Sequence, residues 1–253
     1  MSKPIALAAA VLLAALAPPA RADSRELWAA ATILPGRSGI VEVTGYDGEP
    51  LGRGSRLTLT APGGARVTDT PLAAASGYRG TVDPDGDSAA YLYTGTAADP
   101  PWAGRTFPFV LAVPAGAVPG TRLDGCATRL TDERGTRVDH GTCAVVVGLP
   151  EPTLTRPVAG TALTVRPQAG GTAYPGAQIT VEYEEAADAA VTGNGPRPPL
   201  EVCTATAAAD GTWSCAPAAP LPTGPGRLQA SAALNGVSSV SEQISVTVGQ
   251  DGL

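Results

Sequence analysis

One thirteen-residue segment constrains the fold most, because it combines two cysteines, a turn signal and a tryptophan. It reads Cys203-Thr-Ala-Thr-Ala-Ala-Ala-Asp-Gly-Thr-Trp-Ser-Cys215. The Asp210-Gly211 dipeptide is typical of a tight β-hairpin turn. Folded as a hairpin about this turn, the segment places Cys203 opposite Cys215 and Ala205 opposite Trp213. We therefore predict a disulfide between the two cysteines, with Trp213 buried beside it.

The other two cysteines show the same arrangement. Residues 123–131 and 138–147 alternate in polarity on either side of Arg134-Gly135, which predicts a second hairpin in which Cys126 meets Cys143. Four cysteines allow three pairings, and pairing the sequence neighbours is the simplest of them. A zinc site is the alternative, although the chain has no Cys-x-x-Cys motif to favour it.

The cysteine segment also resembles the signature of bacterial Ig-like domains, which occur as repeats in secreted and surface proteins. Gly171-Thr-Ala-Tyr-Pro-Gly-Ala-Gln-Ile-Thr-Val181 is similar to the Gly-x-x-x-Pro-Gly-Ala-x-hydrophobic-x-Val segment of these repeats. The resemblance spans most of residues 150–249 and departs from the family at residues 184–199, which form a longer connection. In the first half of the chain only residues 113–121 resemble these repeats. The resemblance implies a module rather than an activity.

The rest of the chain favours β structure as well. Gly and Pro recur about every ten residues, and apolar residues alternate with polar ones between them, as in β-sandwiches. Arg56-Leu-Thr-Leu-Thr60 is a clear example, with Leu57 and Leu59 predicted to face inward. The predicted fold class is all-β: two Ig-like β-sandwich domains in tandem after a cleaved signal peptide, each with one disulfide local to a hairpin.

The amino-terminal residues have the pattern of an export signal. A lysine precedes an apolar run over residues 5–17, and Ala20-Arg-Ala22 supplies small residues at a cleavage site. A buried or membrane-anchoring helix is the alternative. We predict a signal peptide at 1–22, an Ig-like sandwich at 23–149 and a bacterial Ig-like sandwich at 150–253, joined by a Pro-rich linker over residues 148–153. The expected location is secreted or extracellular, including association with a cell wall, with no membrane insertion after cleavage.

The charge of the chain argues against two classes of partner. The formal net charge is −6, and Lys3 is the single lysine. An acidic chain without basic sequence clusters is poorly suited to nucleic acid or to anionic membrane surfaces. The sequence therefore predicts no nucleic-acid partner.

No set of residues predicts catalysis. His140 is the single histidine, and no Gly-x-Ser-x-Gly motif accompanies it. The acidic run at Glu182, Glu184, Glu185 and Asp188 is interpreted as a solvated strand edge rather than as a carboxylate pair for glycoside hydrolysis. We expect no enzyme activity, no catalytic residue and no cofactor.

One loop offers a weak metal-site alternative. Asp83, Asp85 and Asp87 place three carboxylates at alternate positions, as Ca²⁺ loops do. The loop departs from the EF-hand pattern, because Gly86 comes two positions early and Thr94 stands where Glu is needed. The first interpretation is a polar hairpin turn, and no metal is assigned.

The aromatic residues have two interpretations. Tyr91, Tyr93 and Trp102 are expected in a core or a domain interface, and a glycan-stacking platform is the alternative. Trp28 is expected to be docked on a sheet, and Trp213 in the core.

These expectations lead to one function and two alternatives. The predicted function is a non-enzymatic exported Ig-like module that acts by surface contacts, in adhesion, interaction or structure, at the cell envelope or outside the cell. Its partner is an unidentified protein or a cell-wall glycan. The alternatives are a secreted inhibitor of an extracellular hydrolase and a glycan-binding accessory protein.

Overall fold

The computed structural model describes residues 26–72, 77–95, 101–186 and 198–249. The predicted signal peptide at 1–22 and Asp188 lie outside these ranges. Every regular element in the described ranges is a β-strand, so the all-β class predicted from the sequence is confirmed. The described residues contain no helix that is both long and apolar enough for a transmembrane span.

The strands form two groups, each with its own hydrophobic core. The first group contains the strands β1 Leu27–Ile33, β2 Ser38–Val43, β3 Arg56–Thr60, β4 Arg66–Asp69, β5 Tyr78–Val82, β6 Ser88–Tyr93, β7 Phe107–Ala112, β8 Arg122–Leu123, β9 Ala127–Thr131 and β10 Arg137–Val147. The second contains β11 Ala162–Leu163, β12 Ala169–Thr172, β13 Gln178–Glu185, β14 Leu200–Thr206, β15 Thr212–Cys215, β16 Gly224–Leu234, β17 Val237–Val240 and β18 Ile244–Val248. We call them the first and second sandwich.

The first sandwich packs a seven-stranded sheet against a three-stranded one. The large sheet has the order β1-β10-β9-β3-β6-β5, with β8 also paired to β10, and the small sheet has the order β2-β7-β4. Leu57 and Leu59 face the core, as predicted. β1 runs parallel to β10 over seven residue pairs, from Leu27 with Gly141 to Ile33 with Val147. A Cβ atom at Gly141 would overlap the carbonyl oxygen of Leu27, so this close approach needs a glycine.

Aromatic side chains fill one end of the first core. Six rings form a continuous chain of tilted and edge-to-face contacts, with centroids 4.9–5.7 Å apart. They belong to Tyr78, Tyr91, Tyr93, Trp102, Phe107 and Phe109. The Tyr91 hydroxyl donates to the carbonyl oxygen of Pro108 at 2.6 Å and accepts from the Leu72 backbone N–H at 3.2 Å. This hydroxyl therefore ties the large sheet to the small one.

The second sandwich has a similar two-sheet plan. Its larger sheet has the order β11-β18-β16-β13-β14, with β17 also paired to β16, and a two-stranded sheet of β12 and β15 faces it. β11 runs parallel to β18 over two residue pairs. Trp213, Ile179 and Tyr183 are buried between the sheets. The two-sandwich architecture predicted from the sequence is thus confirmed.

Both predicted disulfides are present, and the first has the predicted setting. Cys126 and Cys143 lie at the end of the antiparallel β9–β10 hairpin, with Cα atoms 5.2 Å apart. The turn of this hairpin is closed by a hydrogen bond from the Gly135 N–H to the Asp132 carbonyl oxygen at 3.0 Å. Alternation and turn signal together were sufficient to predict this register.

The hairpin predicted for residues 203–215 is wrong. β14 pairs with β13, so the ladder partner of Ala205 is Ile179 rather than Trp213. β15 pairs with β12 in the other sheet, where Trp213 is opposite Gly171. The Asp210-Gly211 turn does form, because the Gly211 N–H donates to the Ala208 carbonyl oxygen at 2.9 Å. The chain changes sheets there because β15 gains a ladder partner in β12 and buries Trp213. The Cys203–Cys215 disulfide therefore joins two sheets.

Candidate ligand-binding face

The strands of the large sheet in the first sandwich expose arginines on its outer surface. Five are exposed there, four of them on β3, β5, β9 and β10 and the fifth, Arg122, on the short β8, and the one carboxylate within the sheet's strands, Asp139, points inward and is buried. We call this surface the arginine face and define it by Arg56, Arg79, Arg129 and Arg137. Its sign is opposite to the net charge of the chain, which is −6.

The sheet register aligns three of these arginines in one row. Arg137 is paired with Thr131, which is paired with Arg56. Arg56 is paired with Leu92, which is paired with Arg79. Because neighbouring strands lie about 4.8 Å apart, arginines on alternate strands have Cα atoms about 10 Å apart. The row therefore presents three guanidinium groups at a regular spacing across five strands.

A second row lies beside the first and contains a groove. It runs from His140 through Arg129, Thr58 and Ala90 to Thr81. Ala90 is small and buried, so the surface dips over β6 between the two threonines. The resulting groove has a volume of about 290 Å³ and is lined by Arg56, Thr58, Thr81, Asp83, Ser88 and Ala90 among others. It combines hydroxyl groups and a cation on a nearly flat sheet.

The arginines of this face have no ion-pair partner among the described residues. Acidic residues flank the strands of this sheet at their ends, at Glu26, Asp83, Asp87, Asp132 and Glu133. Free guanidinium groups keep all their donors available for carboxylate, sulfate or phosphate oxygens.

The structure corrects the expectation for Trp28. Its indole is 58 % exposed on the same outer surface, where Trp28 is paired with Thr142, rather than docked against a sheet. Strand alternation explains this, because Leu27 and Ala29 take the inward positions of β1. The indole edge lies over Gly45, where a Cβ atom would come within 3.2 Å of it. The Trp28 indole is thus exposed on its outer side and contacts Gly45 on the other.

The other aromatic candidates are buried. Tyr91, Tyr93 and Trp102 belong to the first core, with exposures of 0 %, 6 % and 1 %, which confirms the core interpretation. The Trp102 indole N–H donates to the Ser55 hydroxyl at 2.7 Å. These rings are not accessible to a sugar.

Burial of Tyr78 has a measurable consequence at high pH. Desolvation raises the pKa of Tyr78 to about 12, and burial also raises the pKa of Tyr91 and of Tyr183. Burial favours the neutral phenol form of Tyr78 in the folded state. The resulting contribution of Tyr78 to stability is therefore complete below pH 10 and is lost between pH 10 and pH 12. For Tyr78, each pH unit between pH 10 and pH 12 lowers the free energy of unfolding by about 1.4 kcal/mol.

We expect Tyr78→Phe to reduce this alkaline loss, since the Tyr78 hydroxyl has no hydrogen-bond partner in the described structure. Urea unfolding at pH 9, 10 and 11 measures it. The variant and the natural protein should differ more at pH 11 than at pH 9, and parallel curves would contradict the assignment.

His140 and Asp139 do not form a catalytic pair. They are neighbours on β10, so their side chains point to opposite sides of the sheet: His140 is exposed and Asp139 is buried. One Asp139 oxygen accepts from the His140 backbone N–H at 2.7 Å, and the other is buried with no hydrogen-bond partner. Burial is the main cause that raises the pKa of Asp139, with smaller contributions from the nearby Asp47 and Glu26.

Asp139→Asn is expected to stabilise the first sandwich. The amide oxygen keeps the hydrogen bond from the His140 N–H, and the uncompensated buried charge is removed, which we expect to add about 1 kcal/mol at pH 7. Because the pKa of Asp139 is raised in the folded state, the natural protein loses stability as the pH rises through that pKa. Below about pH 4 the Asp139 carboxyl is protonated and uncharged, so the stability gain of Asp139→Asn should disappear there. Thermal unfolding at both pH values tests this. A gain of equal size at pH 3 would contradict it.

The three-aspartate loop is a hairpin turn between β5 and β6. The Asp83 carboxylate accepts from the Asp85 N–H at 3.1 Å, and the Asp83 carbonyl oxygen accepts from the Gly86 N–H at 2.8 Å. The described residues assemble no group of three potential metal ligands, at Asp87 or elsewhere. The Ca²⁺ alternative therefore gains no support from geometry.

The acidic run lies partly on the outer face of the second sandwich. Glu182 is exposed and directly opposite Glu201 on β14. Glu184 is exposed two residues farther along and accepts a hydrogen bond from the Gln243 side chain at 3.3 Å. Like charges on facing strands repel. The residues are solvated as expected, but the predicted edge position is wrong, because β13 is paired on both sides, with β14 and β16.

A scan against protein-family models finds none that matches, and no curated protein matches the sequence. Many solved structures match at low overall similarity, and three of them illustrate this. The sixth cohesin of Acetivibrio cellulolyticus scaffoldin B, solved with a mutant dockerin, is 14 % identical with a TM-score of 0.32 and covers 48 % of this chain and 99 % of its own. Murine CEACAM1b is 14 % identical with a TM-score of 0.29, and the match covers 88 % of this chain and 99 % of that structure. The tandem Ig repeats of Dlar are 12 % identical with a TM-score of 0.23, and the match covers 89 % of this chain and 96 % of that structure. These values identify no family, ligand or partner.

Proposed function

We propose that the protein is a non-enzymatic, exported interaction module that acts through the outer surfaces of its two sandwiches. The observation that supports this most is the arginine face, an open sheet surface whose four arginines form no ion pair with the described residues, on a chain that is acidic as a whole. The domain limits that we propose are those predicted from the sequence: 1–22, 23–149 and 150–253.

The chemistry of the described residues supports a role in binding rather than catalysis. All four cysteines form disulfides, so none is available as a nucleophile. His140 lies on a flat strand, and the neighbouring Asp139 faces away from it, which does not give the aligned base and orienting acid that a hydrolytic triad requires. The acidic residues of β13 lie on an open face rather than in a cleft.

Two disulfides support a location outside the cytoplasm, since such bonds persist in oxidising compartments. Together with the predicted signal peptide at 1–22, they support secretion, with contacts at a bacterial cell envelope as the proposed site of action.

Co-sedimentation tests this function. Purified residues 23–253 are incubated with intact bacterial cells and, separately, with purified cell walls. We expect the protein to pellet with the walls and to be released by excess soluble wall fragments. Recovery in the supernatant at every wall concentration would contradict an envelope role. Turnover in a screen of hydrolase substrates would contradict the absence of activity.

A further inference from the structure

We infer that the arginine face binds an extended glycan that carries regularly spaced anionic groups. The inference rests on the proposed function, because it assigns a ligand to one surface of the same interaction module. It is drawn from the charge, the spacing and the hydroxyl content of this face.

Charge is the first argument. Arg56, Arg79, Arg129 and Arg137 are exposed on one sheet face, and none of them forms an ion pair with a described residue, although the Asp83 carboxylate lines the same groove as Arg56. Guanidinium groups bind carboxylate, sulfate and phosphate through paired N–H donors. A polyanion is therefore the chemistry that this surface complements.

Spacing is the second argument. Arg137, Arg56 and Arg79 recur on alternate strands of a single row, about 10 Å apart at their Cα atoms. A polysaccharide with one acidic group per disaccharide repeats its charge on a comparable scale. Such a chain, lying across the strands, contacts the arginines successively.

The surroundings of the arginines favour a sugar over other polyanions. Thr58 and Thr81 bring hydroxyl groups to the groove over Ala90, which suits the hydroxyl groups of a pyranose ring. Trp28, exposed on the neighbouring β1, adds one ring on which a sugar can stack. Single-stranded nucleic acid is bound on several successive aromatic rings, and a protein partner requires an apolar anchor. The two arginine rows contain no phenylalanine, tyrosine or tryptophan ring, and their apolar positions, Ala90 and Leu92, are buried or half-buried.

The test uses residues 23–253 and three polymers: hyaluronate, with one carboxylate per disaccharide, as the carboxylated probe, κ-carrageenan, with one sulfate per disaccharide, as the sulfated probe and dextran as the neutral control. The test variant is R56S/R79S/R129S/R137S. The matched control is R37S/R66S/R156S/R166S, which removes the same charge from exposed arginines elsewhere. Binding is measured by isothermal titration calorimetry at two salt concentrations.

We expect binding to at least one charged polymer, none to dextran, and an affinity about 100-fold or more weaker for the test variant, since each charge-assisted hydrogen bond contributes roughly tenfold. The control should bind as the natural protein does, and added salt should weaken binding. The double variant R56S/R79S, which alters fewer positions, should lose at least about tenfold and keeps the test valid if the quadruple variant does not fold.

Four results would overturn the inference. They are equal losses in the test and control variants, equal binding to dextran, tighter binding of a single-stranded oligonucleotide, and self-association that depends on the four arginines without glycan binding. The proposed function is tested separately by co-sedimentation. If the test variant still pellets with cell walls, the glycan site is wrong but the interaction module stands. If the natural protein never pellets, the interaction module itself is wrong.

Discussion

Gly141→Ala is expected to destabilise the first sandwich by about 3 kcal/mol, because the new methyl group has no space. The added Cβ atom would overlap the Leu27 carbonyl oxygen, which belongs to the backbone of the paired strand β1. Neither strand can withdraw without breaking part of their seven-pair ladder. Chemical denaturation of the purified variant measures the loss.

Gly116 provides the matched control. It lies in a loop of the same sandwich, and an added Cβ atom would meet nothing within 4 Å. Gly116→Ala should therefore leave stability unchanged or raise it slightly, because it restricts the unfolded chain. If Gly141→Ala unfolds at the same denaturant concentration as Gly116→Ala, the close approach of β1 to β10 is wrong.

Removal of the disulfide between the sheets should have an effect of comparable size. In C203A/C215A we expect a loss of about 3 kcal/mol from the unfolded-state entropy of the open loop. For a domain of this size that corresponds to a Tm lower by roughly 10–20 °C in the second sandwich. Calorimetry measures this shift.

Hydrogen exchange locates the effect of the same variant. β14 pairs with β13 on one side, and the disulfide holds its other side to β15. Its amides should therefore exchange faster in the variant, while those of the central strand β16 remain protected. The control C126A/C143A should lower the stability of the first sandwich and leave β14 unchanged. A uniform rise in exchange across β13, β14 and β16 would contradict this account.

Local patterns predicted those parts of the fold that depend on neighbouring residues. Alternation placed Leu57 and Leu59 inward, and a turn signal between alternating segments paired Cys126 with Cys143. The Asp210-Gly211 turn was also correct. It does not determine which sheet the next strand joins, because that choice depends on β12, some forty residues earlier in the chain.

The arginine face could not be predicted from the sequence for the same reason. Arg56, Arg79 and Arg137 are far apart in the chain, and the strand order β10-β9-β3-β6-β5 brings them into one row. Arg56 belongs to a strand predicted from its alternation, whereas Arg79 and Arg137 lie outside the segments predicted from the sequence. Their alignment depends on long-range pairing, which a local pattern does not contain. Trp28 was misplaced because the face of β1 that it occupies depends on that pairing too.

The parallel pairing of first and last strands determines how the protein responds to force. Tension between the ends of the first sandwich pulls β1 along β10 and loads all seven residue pairs of their ladder at once. In the second sandwich, the ladder between β11 and β18 has only two residue pairs, at Ala162 and Leu163. The second sandwich therefore yields first, and its disulfide keeps residues 203–215 out of the extension. The arginine face therefore stays on a folded sheet while the second sandwich lengthens.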